Sequence, residues 1–125
     1  MTERPSRGEF ELIDEVLAPL ARAQPGAFGL RDDAAVLSPR PGRELVITTD
    51  AMIAGVHFAA DDPPALVARK LLRVNLSDLA AMGASAVGYV LVVSLDEAHR
   101  DEWMDEFGRG LAEDQEAFGV SLLGG

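Results

Sequence analysis

The sequence predicts an α/β (α+β) domain in which helices cover one face of a mixed four-stranded sheet. Three observations favour this class. Apolar residues recur at helical spacing in three segments, short apolar runs lie between and after them, and the run over residues 88–94 is apolar on both faces. A chain of 125 residues is long enough to bury its own core. The predicted order of elements is therefore α-β-β-α-β-α-β.

Three helices are predicted, each from apolar residues that recur every three or four positions. They are expected over residues 8–20, 64–82 and 97–118. The first should end near Pro19 and the second before Gly83, because proline interrupts a helix and glycine favours the left-handed conformation that follows one. Residues 1–7 show no such periodicity and are expected to form a flexible tail.

Four strands are predicted, over residues 34–37, 44–49, 88–94 and 119–123. The segment over residues 51–58 has no clear period, and we interpret it as a loop that carries function. Helices can cover only one face of so small a sheet, while apolar residues of the strands also require burial on the other face. A second copy of the chain is the simplest cover, and a further domain packed there is the alternative.

Composition excludes several classes of function. The net charge is −10 and Lys70 is the only lysine, which argues against binding to a nucleic-acid backbone. There is no cysteine, so disulfides and thiolate metal sites are excluded. No apolar stretch reaches the roughly 18 residues of a membrane span, and no basic and apolar leader begins the chain. The sequence thus predicts a cytoplasmic protein without a membrane or nucleic-acid partner.

Acidic residues at three separated positions indicate a divalent cation. Asp33 precedes a predicted strand, Asp50 ends another, and Asp78 lies inside a largely apolar helix. An unpaired buried carboxylate is strongly unfavourable, so we expect a cation close to Asp78. Oxygen donors without cysteine favour Mg²⁺. The alternative for an isolated aspartate is a cap or a solvated turn, and Asp78 fits that alternative least well.

Further candidate residues lie close to these positions or at the end of the chain. Thr48 and Thr49 either supply oxygens to a metal or are simply good strand formers. His57 either contacts a phosphate, transfers a proton or is incidental. The glycine pair that ends in Gly125 would let a backbone approach a phosphate closely. Lys70 is interpreted as a solvated helix charge.

Five motifs taken together resemble thiamine-monophosphate kinase, which belongs to the superfamily of aminoimidazole ribonucleotide synthetase and selenophosphate synthetase. The motifs are Gly-Glu-Phe at 8–10, Asp-Asp-Ala-Ala-Val at 32–36, Thr-Thr-Asp at 48–50, Gly-Val-His-Phe at 55–58 and Asn-Leu-Ser-Asp-Leu-Ala-Ala-Met-Gly-Ala at 75–84. Their combination is more specific than any single one. The resemblance covers residues 8–125 and corresponds to the N-terminal half of such an enzyme, with nothing here that corresponds to the C-terminal domain.

The resemblance implies an N-terminal domain of the aminoimidazole ribonucleotide synthetase type that binds ATP and Mg²⁺. It also implies a homodimer in which the sheets of two subunits pair as a barrel. The implied reaction moves the γ-phosphoryl group of ATP directly to thiamine monophosphate, assisted by metal and without an acid or base residue. The site residues implied by position are Asp33, Thr48, Thr49, Asp50 and Asp78 for the metal, His57 for the thiamine phosphate and Gly125 for ATP.

Two departures from the family pattern are visible. Arg31 stands where the family usually has glycine, and the family's Gly-Gly-Asp-Thr motif is cut after Gly125. An aspartate expected to bind metal and nucleotide is thereby missing, so we expect this chain to lack full kinase activity on its own. Two alternatives stay open, namely another ATP-dependent synthetase of the same superfamily and a non-catalytic dimerisation module.

Overall fold

Two long helices and a short parallel sheet form the framework of the chain. They are seen in a computed structural model that describes residues 5–98 and 100–125. The regular elements are α1 (Glu9–Leu12), α2 (Pro64–Ala81), β1 (Gly88–Val90), α3 (Arg100–Phe118) and β2 (Ser121–Gly124). His99 and the first four residues of the predicted tail lie outside the described residues.

The first predicted helix is helical over residues 9–21, but its winding changes twice. After α1 the backbone is π-helical over Ile13–Leu17 and 3₁₀-helical over Ala18–Ala21. Pro19 lies inside the last of these turns and has no N–H to donate, which accounts for the loss of regular α-helical bonding there. The first turn is tied at its start, where the Glu11 carboxylate accepts the N–H of Gly8 at 3.1 Å.

The strands predicted over residues 34–37 and 44–49 do not form. The described part of the chain contains two strands, not the four that were predicted. A strand needs a run of hydrogen bonds to a neighbouring strand, and neither segment forms one in the described chain. The N–H of Val36 instead donates to the carbonyl of Gly26 at 2.8 Å, in the 3₁₀ segment Pro25–Leu30.

Helix α2 lies where the periodicity predicts it. Pro64 occupies the first turn, where its missing N–H costs nothing. The helix ends as predicted at Gly83, which adopts a φ of +68°. The N–H of Gly83 donates to Ala80 and that of Ala84 to Leu79, both at 3.0 Å. This paired arrangement satisfies the last carbonyls of the helix and fixes its end.

Helices α2 and α3 cross at very close range. A Cβ atom added to Gly110 would lie 2.4 Å from the carbonyl oxygen of Ala65, so only glycine fits at this crossing. Further along, the guanidinium of Arg73 donates twice to the carboxylate of Asp114, at 2.9 and 3.0 Å. Asp114 is only 2% exposed, and its charge is therefore compensated where water cannot reach it. Arg73 also lies over the ring of Phe118, 5.5 Å from its centre.

Strands β1 and β2 pair in parallel, with α3 as the connection between them. The paired residues are Gly88 with Ser121, Tyr89 with Leu122 and Val90 with Gly124. The register shifts after Tyr89, and one further backbone bond joins Leu91 to Gly124 at 2.9 Å. The strand predicted over residues 88–94 is shorter than expected and spans Gly88–Val90.

The Gln115 side chain links three elements through partly buried hydrogen bonds. Its Oε1 accepts from the hydroxyl of Tyr89 at 2.8 Å and from the N–H of Leu122 at 3.1 Å. Its Nε2 donates to the carbonyl of Leu20 at 3.0 Å. Burial raises the pKa of Tyr89, so its phenol stays a neutral donor in this network.

The core lies between α2, α3 and the sheet. Its buried members are Leu20, Val67, Ala68, Leu72, Phe107, Leu111, Val120 and Leu122. Phe107 is 2% exposed, and its ring stacks on Trp103 with the ring centres 4.7 Å apart. None of the helices in the described ranges combines the length and the apolarity that crossing a membrane requires.

Apolar side chains stay exposed on the segments for which a cover is predicted. Ile47 is 82% exposed and Val92 is 87% exposed, whereas Leu91 and Val93 are partly buried against the core. The single chain thus covers one side of the 88–94 segment and leaves the other side open to solvent.

Arg7 ties the N-terminal segment to the start of α3. Its backbone N–H donates to Asp101 at 2.8 Å, and its guanidinium lies 2.9 Å from both Glu15 and Asp105. The hydrogen bond to Glu15, followed by those to the other two carboxylates, raises the pKa of Arg7. The N–H and the guanidinium of Arg7 in turn hold the pKa of Asp101 below its usual value.

We expect Phe107→Ala to lower the free energy of unfolding by about 3–5 kcal/mol, because it empties a well-packed site in the core. Urea denaturation followed by circular dichroism measures this change. The matched control is Phe10→Ala, at a side chain that is 80% exposed, with an expected change below about 0.5 kcal/mol. Equal effects of the two substitutions would contradict the assignment of the core.

The carboxylate of Asp101 should make the thermal stability of the chain depend on pH. In the folded chain its pKa lies below the ordinary value of 3.8. Its contribution to the free energy of unfolding is therefore present above pH 3.8 and is lost as the pH falls through the lowered pKa. We expect the melting temperature of Asp101→Asn to fall less than that of the parent when the pH is lowered below about 4. Glu102→Gln, an exposed neighbour outside the ion pairs of the described residues, should keep the parental dependence.

Candidate functional site

The loop before α2 forms a closed turn around His57. The carbonyl of Ile53 accepts the N–H of Val56 at 3.1 Å and that of His57 at 2.9 Å. The N–H of Gly55 donates to the carbonyl of Phe58 at 2.7 Å. Gly55 adopts a φ of +80°, a conformation that residues with a Cβ rarely take. The loop predicted to carry function is therefore an ordered turn.

The turn also fixes the imidazole of His57. Nδ1 accepts the backbone N–H of Ile53 at 3.0 Å, and since a backbone N–H can only donate, Nδ1 must be unprotonated. In the neutral ring the proton is therefore on Nε2. The ammonium of Lys70, in α2, donates to the carbonyl of His57. Sequence analysis assigned Lys70 no such role, because a charge on a helix surface gives no signal of a contact thirteen residues away.

The acidic residues that precede the turn cap their own backbone. Oδ1 of Asp32 accepts the N–H of Asp33, and Oδ1 of Asp50 accepts the N–H of Ala51, both at 2.9 Å. Asp33 and Asp50 are exposed. In the single chain, Asp32 and Asp50 thus act as local caps, which was the alternative to a metal site. Among the described residues, the second carboxylate oxygen of each accepts no hydrogen bond.

Asp78 lies on an exposed part of α2, so the expectation that its carboxylate is buried is wrong, while the expected Mg²⁺ stays a prediction. The buried side of this helix is formed by Val67, Ala68 and Leu72. Across residues 5–98 and 100–125, no Lys or Arg side chain pairs with Asp78. Its neighbour Asn75 is partly buried and donates through its side-chain amide to the carbonyl of Leu71 at 2.9 Å. Water therefore solvates the carboxylate of Asp78 in the single chain.

The predicted metal ligands are not gathered into one cluster. In the part of the chain that the structure describes, no group of three or more Asp, Glu or His side chains could hold a metal. The chemistry of the donors still suits Mg²⁺, which takes one or two carboxylates and completes its shell with water and phosphate oxygens. Thr48 is partly buried and Thr49 exposed beside Asp50. The metal role of these residues stays a prediction.

The terminal glycines have a structural role that sequence analysis missed. Gly125 has a φ of +148°, and a Cβ at this position would lie 1.7 Å from the carbonyl oxygen of Leu91. The carbonyl of Gly124 accepts the N–H of Leu91 at 2.9 Å. Close backbone approach therefore occurs here, as the glycine pair predicts, but its partner in the single chain is another part of the backbone.

Arg31, which departs from the family pattern, lines a different cleft. This cleft, of about 490 Å³, is bounded by Asp14, Arg22, Phe28 and Arg31 among others. Phe28 adopts a positive φ of 53° at its edge. None of the predicted metal or phosphate residues lines this cleft.

Comparison with known proteins identifies the family. Residues 31–125 match the family model described as AIR synthase related protein, N-terminal domain. The chain belongs to this family. The mixed helix and strand fold of the chain is thus that of an AIR synthase related N-terminal domain, and the matched range includes every predicted metal, phosphate and ATP residue.

Similar proteins include two curated enzymes named thiamine-monophosphate kinase. The one from Caulobacter vibrioides is 55% identical over 117 residues, which are 94% of this chain and 33% of that enzyme. The one from Synechococcus elongatus is 38% identical over 120 residues, 95% of this chain and 37% of that enzyme. The chain thus spans about a third of the length of these relatives.

A solved structure agrees with these sequence matches. The crystal structure of thiamine-monophosphate kinase from Stenotrophomonas maltophilia superposes with a TM-score of 0.71 and 35% identity. The superposition covers 94% of this chain and 37% of that chain. The resemblance to thiamine-monophosphate kinase that the motifs indicate is confirmed.

The closed turn around His57 should depend on the left-handed conformation of Gly55. We expect Gly55→Ala to speed hydrogen exchange at the His57 amide about tenfold, because a Cβ strains this conformation. Exchange is measured by two-dimensional nuclear magnetic resonance. Gly42→Ala is the matched control, since Gly42 has a similar φ of +74° in a distant turn. Exchange at His57 that is unchanged in Gly55→Ala would contradict the described turn.

Proposed function

We propose that this chain is the N-terminal domain of a thiamine-monophosphate kinase. The enzyme transfers the γ-phosphoryl group of ATP to the phosphate of thiamine monophosphate and forms thiamine diphosphate and ADP. The 55% identity to the Caulobacter enzyme over 94% of this chain carries the proposal. The family match alone would also fit another ATP-dependent synthetase of the superfamily, which is the second candidate.

Metal ions would hold the phosphates of this reaction. When bound, Mg²⁺ neutralises the oxygens of donor and acceptor and keeps them in line. The proposed ligands are the carboxylates of Asp33, Asp50 and Asp78, with oxygens from Thr48 and Thr49. Support comes from the exposure of all three carboxylates and from the net charge of −10, which would repel ATP without divalent cations.

His57 is proposed to contact the phosphate of thiamine monophosphate. Its Nε2–H, left free by the turn, is suited to donate a hydrogen bond to a phosphate oxygen. Gly125 is proposed to lie beside ATP, where the glycine pair would bring backbone N–H groups close to a phosphate. Both roles rest on the match of these positions to the family motifs.

The proposed assembly is a homodimer formed by residues 8–125, followed in the whole enzyme by a second domain. The segments over residues 34–37 and 44–49 would become strands when two copies pair their four-stranded sheets into a barrel. Exposed Ile47 and Val92 support this arrangement, because pairing would remove them from water. We place the reaction in the cytoplasm.

The decisive assay uses this chain joined to its natural continuation. We expect it to form thiamine diphosphate from thiamine monophosphate and Mg·ATP, measured by chromatography. Asp78→Asn should lower the rate about 100-fold or more, because it removes a proposed metal ligand. Asp61→Asn is the matched control, an exposed carboxylate outside the proposed site, and should keep the parental rate.

Two results would contradict these proposals. A parental rate in Asp78→Asn would remove Asp78 from the metal site. A folded protein that binds ATP without making thiamine diphosphate would favour another synthetase of the superfamily. The chain of 125 residues alone should lack full activity, since it spans only about a third of the length of the related enzymes.

A further inference from the structure

Nearly every polar group of His57 is already engaged. Its N–H donates to Ile53, its carbonyl accepts from Lys70, and its Nδ1 accepts from the N–H of Ile53. Within the described ranges, no hydrogen bond reaches Nε2, and the residue is exposed. The turn therefore presents one polar atom to solvent, and that atom is a donor when the ring is neutral.

In the described structure, Lys70 is the one side chain of a long helix that hydrogen-bonds to this turn, and Phe58 at the end of the turn packs against the core. The other hydrogen bonds of the turn lie within residues 53–58, so they set its shape but do not attach the His57 backbone to the helix. An ammonium bonded to a carbonyl is a charge-assisted hydrogen bond, which is stronger than a neutral one. Lys70 precedes Asp78 in α2 by eight residues, which is about 12 Å along a helix axis. The contact thus ties the backbone of His57, and with it the imidazole, to the helix that carries Asp78.

We propose that Lys70 is a positioning residue, which holds the His57 turn on α2 so that the Nε2–H of the neutral imidazole donates to the phosphate of the acceptor substrate. The choice of acceptor rests on the proposed function. The positioning of the turn and the choice of ring tautomer rest on the geometry of this chain alone. Lys70 acts through the His57 carbonyl and is not itself assigned a contact with substrate.

A simpler role for Lys70 would be to supply positive charge near an anionic ligand. The two roles differ in what happens to the imidazole. If Lys70 supplies only charge, removing the Lys70 side chain leaves the tautomer of His57 unchanged. If Lys70 positions the turn, its removal loosens the Nδ1 bond to Ile53, and the proton distributes between both ring nitrogens.

The first experiment reads the tautomer directly in this chain. The chain has two histidines, so a His99→Gln background leaves the ¹⁵N resonances of the His57 ring alone. At a pH where the ring is neutral, we expect the Nε2–H form to predominate in the parent and a mixture in Lys70→Met. Lys70→Arg keeps the charge and the donors and should restore the parental spectrum.

The matched control is Arg109→Met. It removes one positive charge from an exposed helix position outside the ion pairs of the described residues, and it should leave the ring spectrum unchanged. A parent that is not predominantly Nε2–H, or a Lys70→Met spectrum equal to that of the parent, would overturn the proposal. If Lys70→Met fails to fold, loss of the Nε2–H form in folded Lys70→Gln supports the proposal, and its persistence overturns it.

The second experiment uses the chain joined to its natural continuation. Lys70→Met should raise KM for thiamine monophosphate about tenfold and change KM for ATP less than about twofold, the scale of one hydrogen bond. An equal rise in both KM values would show that Lys70 only supplies positive charge near the anionic ligands, and it would overturn the positioning role. A parent without activity on thiamine monophosphate would overturn the proposed function, and the tautomer experiment would then decide the role of Lys70 by itself.

Discussion

The close crossing of α2 and α3 determines where the remaining elements can lie. Gly110 brings the two backbones together because it has no Cβ, and the Arg73 pair with Asp114 holds them at a second point. Phe107 and Leu111 fill the space that this crossing encloses. The strands on either side of α3 can then pair in parallel, since the helix between them is fixed on the core. A change in the crossing would displace both the sheet and α2.

The same crossing gives α2 one side that is buried in the core and another that is exposed to solvent. One side packs on α3 and carries Val67 and Leu72, whereas Lys70 and Asp78 are left in solvent. Residues available for chemistry are thus carried by a helix that cannot shift without disturbing the core. The His57 turn packs on the core through Phe58, and the Lys70 ammonium bonds its backbone to this helix at the His57 carbonyl.

Local features could be predicted from the sequence, and long-range ones could not. The bounds of α2 follow from a proline, a glycine and a repeat of apolar residues, all of which act within one element. The segment over residues 44–49 has strand-forming residues, but a strand also needs a neighbour, and none is present in the described chain. Neither the burial of Asp114 nor the solvation of Asp78 could be predicted from the sequence. The orientation of each helix on the core decides which of the two carboxylates contacts a guanidinium. Lys70 and His57 meet only once the loop has folded back on the helix.

The exposed apolar side chains at Ile47 and Val92 belong to a chain with a net charge of −10. Two such chains repel each other at a distance, while contact between their apolar surfaces is favourable. The repulsion is screened by dissolved salt over about 10 Å at 0.1 M, whereas the apolar attraction is not weakened by it. Self-association through these side chains would therefore become stronger with ionic strength, the reverse of an interface built on ion pairs.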